Sequence, residues 1–257
     1  WWRQEYADWG WSYQTSNGIS QIGVTGDSST ASNKVVVLTP TVRSDNFDAW
    51  ATYTYVNRDA QWIDAGGGND LAAGDEGNDT ILGGQGEDTL LGGAGNDQIR
   101  GGADADDIFG MSGDDYVVGD AGDDTVSGGY GADQVFGGLG NDILAGDDVS
   151  GGQDFSRNGD DLLDGGSGND YMLGQAGNDT LLGSSGNDSL YGGGNSVPAA
   201  YGGNDWLDGG EGDDLLVAGD GDDFLFGGIG NDNIDGDMQG ASLPGNDYID
   251  AGEGNDT

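Results

Sequence analysis

A nine-residue period runs through the chain from Ala65 to Thr257. Clean copies begin at Gly83, Gly92 and Gly165, and the consensus is G-G-x-G-[ND]-D-x-U-x, in which U is an apolar residue. The sixth position is Asp in all 19 copies, the fourth is Gly in 18, and the fifth is Asn in 11 and Asp in 5. Chance does not place so many copies in register, so this period must determine the architecture.

A unit this short predicts a stack of coils. One apolar residue in nine cannot be buried inside its own unit, so successive copies must stack and share a core. The glycines permit the positive-φ turns that reverse the chain twice per coil. We expect Asn or Asp at the fifth position because these residues tolerate left-handed backbone geometry. The x-U-x run then forms a short strand that points Ile81, Leu90 and their equivalents inward.

The repeat resembles the RTX (hemolysin-type) calcium-binding repeat, and the resemblance covers about three-quarters of the chain. It implies an all-β fold, a right-handed parallel β-roll solenoid with two sheets of short parallel strands and calcium in the turns. Calcium takes about six to eight oxygens from carboxylates and backbone carbonyls. A glycine-rich turn exposes its carbonyls, and the Asp adds charge. Magnesium fits poorly because it requires tight octahedral geometry and retains its waters.

The ligand pattern implied by the resemblance assigns calcium to the sixth-position aspartates. Alternate turns share an edge of the stack, so these residues divide between two edges. The first edge holds Asp70, Asp88, Asp106, Asp124, Asp142, Asp170, Asp188, Asp214, Asp232 and Asp256. The second edge holds Asp79, Asp97, Asp115, Asp133, Asp161, Asp179, Asp205, Asp223 and Asp247. One ion between each successive pair of turns gives on the order of 15 calcium ions.

The charge of the chain requires such cations. Asp and Glu number 48 against 6 Lys and Arg, a net charge of −42, and a chain so acidic does not stay compact without neutralisation. Residues 63–257 alone contain 2 basic and 42 acidic residues. Nucleic acids and anionic lipids would be repelled, so we expect neither as a partner. No apolar run approaches the ~20 residues that span a bilayer.

Several classes of enzyme are excluded by composition. The chain contains no His and no Cys, which removes Ser-His-Asp triads, imidazole bases, thiolate metal sites and cysteine nucleophiles. The G-x-S-x-G motif of α/β-hydrolases is also absent. We therefore expect that the protein is not an enzyme.

Residues 1–62 have a different composition. They contain four of the six basic residues and six of the seven tryptophans. Candidate strands are Gly18–Thr25, Lys34–Thr41 and Ala51–Asn57, which favour a small antiparallel β cap on the open end of the roll. Two alternatives stay open, an adhesive or carbohydrate-stacking surface and an arm that docks on a neighbouring subunit. The residues of the alternative surface are Trp1, Trp2, Trp9 and Trp11.

Three repeats carry insertions of ten, eight and six residues, near 147–158, 193–202 and 237–244. In strand order from Ile63 they follow the tenth, fourteenth and eighteenth strands, which are all even, so we expect the three loops at one edge. Tolerated loop growth and a row of contacts for a partner both remain open. The side chains that these loops carry include Phe155, Arg157, Val197, Pro198, Tyr201, Leu243 and Pro244.

The odd-numbered strands are expected to present many outward aromatic and apolar residues. This is more than a solvated sheet requires, so lateral packing and simple β-propensity are both open. The residues concerned are Trp62, Tyr116, Phe136, Leu162, Trp206, Phe224, Phe226 and Tyr248.

The leading interpretation is a calcium-binding extracellular structural or adhesive protein whose repeats fold on Ca²⁺ binding into a rigid rod. One alternative is a subunit of a calcium-dependent extracellular filament or matrix layer, formed by end-to-end pairing or through the aromatic sheet face. Another is the repeat domain of a larger secreted RTX enzyme or toxin. Carbohydrate or another cell-surface ligand is an open partner class. The resemblance implies a secreted or cell-surface bacterial protein exported by type I secretion.

Overall fold

The structure, a computed structural model, describes residues 60–147, 158–193, 202–237 and 245–257, together with four strands near the N-terminus. Strands β3 (Gly23–Thr25) and β4 (Val35–Val37) fall inside two of the candidate strands and pair with each other antiparallel. Strands β1 (Glu5–Ala7) and β2 (Gly10–Ser12) also pair antiparallel. The third candidate, Ala51–Asn57, lies outside the described residues, as do Trp1, Trp2 and Trp9.

From Trp62 onward the described chain forms two parallel β-sheets. No helix long and apolar enough to cross a membrane occurs among the described residues. The ten-stranded sheet contains β5 Trp62–Gly67, β7 Thr80–Gln85, β9 Gln98–Ala103, β11 Tyr116–Ala121, β13 Gln134–Leu139, β15 Leu162–Ser167, β17 Thr180–Ser185, β19 Trp206–Glu211, β21 Phe224–Ile229 and β23 Tyr248–Asp250. The nine-stranded sheet contains β6 Leu71–Glu76, β8 Thr89–Ala94, β10 Asp107–Ser112, β12 Thr125–Tyr130, β14 Ile143–Ala145, β16 Tyr171–Gln175, β18 Ser189–Gly193, β20 Leu215–Val217 and β22 Asn233–Asp235.

Each strand pairs in parallel with the second strand along the chain, not with the next one. Ile81 of β7 lies opposite Ile99 of β9, for example, and Leu90 of β8 lies opposite Ile108 of β10. A coil therefore consists of two repeats, one strand in each sheet. This is a parallel β-roll, and the predicted all-β fold class is confirmed.

Most strands are longer than the predicted x-U-x run. In β7 the strand continues from Thr80 to Gln85, and both Ile81 and Gly83 are buried. The strand thus includes the first three positions of the next repeat, because the first-position glycine maintains the alternation of inward and outward residues. Because glycine has no side chain, the hydrophobic pattern of the sequence does not reveal this second inward position.

The core is a single file of apolar residues between the two sheets. It comprises Ile63, Ala72, Ile81, Leu90, Ile99, Ile108, Val117, Val126, Val135, Leu144, Leu163, Met172, Leu181, Leu190, Leu207, Leu216, Ala218 and Leu225. Towards the C-terminus this file opens, since Ile234 is partly buried and the equivalent Ile249 is 48% exposed.

Positive φ angles occur at the second and fourth positions of the repeat. Gly84 and Gly86 have φ of 115° and 109°, and Asp75 and Asp104 take positive φ at the same two positions. No fifth-position residue among those described has a positive φ, so the expected reason for Asn or Asp there is wrong.

The fifth-position side chains form a ladder between coils instead. The backbone N–H of Asn96 donates to Oδ1 of Asn78 over 3.0 Å, and that of Asn187 donates to Oδ1 of Asn169 over 2.7 Å. Each side chain thus accepts a hydrogen bond from the following coil. Asn and Asp both carry the required oxygen, which explains why these two types dominate the position.

The register of the roll continues unchanged on the two sides of each insertion. Matching aspartates one coil apart are normally 18 residues apart in sequence, but they are 28 apart from Asp133 to Asp161, 26 from Asp179 to Asp205 and 24 from Asp223 to Asp247. Each insertion connects a strand of the nine-stranded sheet to the next strand of the ten-stranded sheet, so all three begin and end at the same edge of the roll. The loop side chains named in the sequence analysis lie outside the described residues.

Truncation of a core residue should be costly. Leu181 is fully buried, and Leu181→Ala should lower the free energy of unfolding by about 2–5 kcal/mol through lost apolar burial and a residual cavity. Leu139→Ala is the matched control because Leu139 is 61% exposed, and a change within about 0.5 kcal/mol is expected. Denaturant unfolding at saturating calcium measures both, and equal losses in the two variants would contradict the single-file core.

Candidate metal sites

The sixth-position aspartates form two ladders, one along each edge of the roll. Except in Asp247 and Asp256, which end the ladders, the backbone N–H of each aspartate donates to Oδ1 of the matching aspartate in the next coil. The distances range from 2.7 Å between Asp79 and Asp97 to 3.1 Å between Asp223 and Asp247. The first ladder runs from Asp70 through Asp88 and Asp106 to Asp256, and the second from Asp79 to Asp247. The two sets are those that the parity of the repeats predicts.

The second oxygen of these carboxylates has no hydrogen-bond partner. In 16 of the 19 aspartates, Oδ2 is buried and accepts no hydrogen bond. Asp124 and Asp142, for instance, are fully buried. The three ladder aspartates without such an oxygen are Asp205, Asp247 and Asp256. The last two lie in the last coil and are partly exposed. A buried carboxylate oxygen without a partner is costly unless a cation neutralises it.

The first-position glycines leave space beside these oxygens. A Cβ atom on Gly83 would lie 2.5 Å from Oδ2 of Asp88 and 2.6 Å from the carbonyl oxygen of Gly101 in the next coil. The same space occurs at Gly92, 2.5 Å from Oδ2 of Asp97 and 2.6 Å from the Gly110 carbonyl. These separations match the roughly 2.3–2.6 Å of calcium–oxygen bonds. Each glycine therefore keeps open a position that a carboxylate of one coil and a carbonyl of the next could share.

Each position draws on one carboxylate and on the backbone. Among the residues that the structure describes, no three acidic side chains converge so as to hold a metal ion. A donor set of carboxylate and carbonyl oxygens suits a hard cation that accepts irregular geometry, which describes calcium. The residues present therefore fit calcium between successive turns of each edge, with the first-position carbonyls and the sixth-position aspartates as its protein ligands.

The electrostatics of the metal-free ladders are unfavourable. Burial is the largest cause that raises the pKa of Asp88 and of Asp97 to about 7, and repulsion by the aspartates above and below adds to it. The hydrogen bond from the preceding coil opposes this rise. In the absence of metal these carboxyls therefore hold protons that an exposed aspartate would lose.

The largest pKa rises occur where insertions leave the roll. Burial, followed by repulsion from Asp179, raises the pKa of Asp161 to about 10 and that of Asp205 to about 9. These two aspartates directly follow the first and second insertions. A cation beside either carboxylate would offset both the burial and the repulsion.

The family model for the RTX calcium-binding nonapeptide repeat, which spans four copies, matches most of the roll. It matches residues 55–90, 82–117, 109–144, 156–181, 173–196, 200–237 and 243–257. The chain belongs to the RTX calcium-binding repeat family. Its repeats are thus calcium-binding repeats, in agreement with the geometry of the turns. A comparison with curated proteins finds no significant match.

Two acidic residues of interest do not follow the RTX pattern. Asp147 and Asp237 each occupy the second position of a repeat, immediately before an insertion, and each has a buried Oδ1 without a hydrogen-bond partner. The repeat consensus has no acid at this position, so a search by period misses both. The signal available in the sequence is the shared Gly-Asp pair, Gly146-Asp147 and Gly236-Asp237, at the start of two insertions.

The metal-free protein should be more stable in weak acid than at neutral pH. The ordinary pKa of 3.8 rises to about 7 in the folded state for Asp115 and Asp133, with burial as the main cause. The folded state therefore binds protons that the unfolded chain releases. The stabilisation is complete below the ordinary pKa, declines as the pH rises and is lost as the pH passes about 7.

The pH dependence of stability can be measured by circular dichroism. The protein is stripped of metal at neutral pH and then dialysed into metal-free buffers over a range of pH. We expect β-structure at about pH 5 and its loss towards about pH 8. At limiting calcium the dependence should reverse, because protons compete with calcium for the same carboxylates. A metal-free β signal that grows with pH would contradict the assignment.

Filling the space beside a ladder aspartate should weaken both fold and metal binding. Gly92→Ala puts a methyl group against Oδ2 of Asp97 and the Gly110 carbonyl, and we expect a loss of about 1–3 kcal/mol in unfolding free energy and a higher calcium midpoint. Gly67→Ala is the control, since a Cβ there has no atom within 4 Å. Calcium titrations of folding compare the two, and identical midpoints would argue against the proposed ion position.

Proposed function

We propose that the chain is a non-enzymatic extracellular module whose RTX repeats fold when calcium binds and then act as a rigid structural or adhesive rod. The observation that carries this proposal is the pair of aspartate ladders with a partnerless oxygen in almost every turn. The ladders hold the coils in register, but their charge opposes the same stack. Calcium between the turns removes this opposition, so ion binding and folding become one event.

The charge balance supports the coupling. Residues 63–257 contain 42 acidic and 2 basic residues, a net charge of −40, and on the order of 15 calcium ions would contribute about 30 positive charges. Without them the repeats resemble a disordered polyanion in composition. Because many ions bind only the folded state, mass action makes the transition steep in free calcium.

A location outside the cell follows from the same switch. Calcium is scarce in the cytosol and abundant outside, so the repeats would stay unfolded until export. RTX repeats are typical of secreted bacterial proteins, and we propose type I secretion of the unfolded chain. A catalytic role is not proposed, since the chain lacks His and Cys and its ladder aspartates have a structural use.

A second candidate function, self-assembly into a filament or layer, is favoured by the outer face of the ten-stranded sheet. Near the C-terminus Trp206 packs on Phe224 and Phe226 with ring centroids 5.7 and 4.6 Å apart, and Phe224 lies 6.0 Å from Tyr248. Trp206, Phe224 and Tyr248 are each more than two-fifths exposed. Such an aromatic row suits lateral contact with a second copy of the chain.

Circular dichroism against free calcium, with sedimentation on the same samples, tests both candidates. We expect coil in chelator and β-structure at millimolar calcium, with a steep transition. Folded monomers at every concentration support the rod, whereas calcium-dependent polymers that Trp206→Ser disperses support the filament. β-structure that persists in chelator at pH 8 would overturn the folding switch.

A further inference from the structure

Asp147 is a buried acid outside the ladders. It follows Gly146 at the point where the first insertion begins, and none of its surface is exposed. Its Oδ2 accepts a hydrogen bond from the backbone N–H of Ala176 over 3.0 Å, and the side chain of Asn158 donates to the same carboxylate. Its Oδ1 has no hydrogen-bond partner. A buried carboxylate oxygen of this kind is costly unless a cation or a proton compensates it.

The position of Asp147 is fixed by its backbone as well. Its carbonyl oxygen accepts hydrogen bonds from Oγ of Ser127 and from Nε2 of Gln175, each over 3.1 Å. These two donors come from the coils on either side. The free oxygen therefore belongs to a residue held on both sides and is not the end of a freely rotating surface side chain.

The charges around Asp147 are negative. Burial raises the pKa of its carboxyl to about 8, and repulsion by Asp179 and Asp133 adds to the rise. Asp147 in turn raises the pKa of Asp161. Four carboxylates thus act on one another at the edge from which the insertion leaves, and a proton or a cation must compensate them.

An ion position of the repeat type lies immediately beside Asp147. A Cβ on Gly146 would contact Oδ2 of Asp161 and would lie 2.9 Å from the carbonyl oxygen of Gly174. This is the arrangement found at the other first-position glycines. Here, however, the next residue is an acid with an unused oxygen, whereas the ordinary repeat has a positive-φ residue at that position.

We propose that Asp147 supplies a second carboxylate to this ion position and makes it a divalent-cation site of higher charge than the regular repeat sites, one that fills first as calcium rises. The affinity of calcium sites increases with the number of charged ligands. The inference rests on the proposed calcium-dependent folding, but it concerns the order in which the sites fill and not whether the repeats fold.

The other insertions supply a natural comparison. Asp237 follows Gly236 in the same way, its Oδ1 also lacks a partner, and it raises the pKa of Asp247. At the second insertion the equivalent second-position residue is Gly193, not an aspartate. A Cβ on Gly193 would meet nothing closer than the Ala218 carbonyl at 3.4 Å, and its φ is not positive. Gly193 can therefore accept an aspartate.

The test compares Asp147→Asn and Gly193→Asp with wild type in the full chain. Asn retains the shape and the acceptor for Ala176 but removes the charge. Glu211→Gln is the control, because it removes one charge from an exposed side chain at the opposite edge. Equilibrium dialysis with radiolabelled calcium from about 10 nM to about 10 mM covers the range of protein sites, and circular dichroism monitors folding in parallel.

Asp147→Asn should reduce the number of calcium ions in the tightest-binding class of sites by one. The dissociation constant of the altered site should rise about 10-fold or more, since loss of even an outer-shell partner has effects of that size. Gly193→Asp should add one ion to that class, and Glu211→Gln should change neither count. If all proteins fold with calcium but their tight classes are equal, the inference is wrong and the calcium switch stands. If Asp147→Asn does not fold, the count for Gly193→Asp decides. Failure of wild type to fold with calcium would instead reject the proposed function.

Discussion

Stacked carboxylates of like charge are the interaction on which the rest of this structure depends. Each coil places one aspartate directly above another on both edges, and one oxygen of each is used to tie the coils together. The other oxygen is left buried without a partner. The stack thus joins its coils through the groups that repel one another, and a cation between turns reconciles the two effects. The register of the roll and its binding of calcium are both linked to this single conflict.

The glycines of the repeat serve two separate physical needs. Most of those at the second and fourth positions adopt positive φ, as do a few other residues at these positions such as Asp75 and Met111. The first-position glycine has no such angle at Gly83 or Gly92, and its role is to keep space open beside a carboxylate and a carbonyl. Both requirements tolerate exceptions, because the first position is Gly in 16 of the 19 copies and Ala in the other three, at Ala65, Ala218 and Ala251.

Strict periodicity made much of this molecule predictable. The inward direction of Leu181 and the edge occupied by Asp88 follow from counting in nines, because neither depends on a distant residue. Strand length did not follow, since Gly83 continues the strand without a hydrophobic signal. The fifth-position ladder, as from Asn96 to Asn78, was missed because it depends on contact between coils. Asp147 was missed for a related reason: its unused oxygen becomes visible only once Ala176 and Asp161 are placed beside it.

Two repeats per coil also limit how such a chain can change in length during evolution. Loss or gain of one nine-residue unit would transfer every later strand to the opposite sheet, so the aromatic row around Trp206 would change faces and the later loops would change edges. Duplication or loss of whole coils leaves both arrangements intact. The three insertions, which add ten, eight and six residues within a turn, have no such effect. Descendants of this sequence should therefore differ by even numbers of repeats, while their loops vary freely in size.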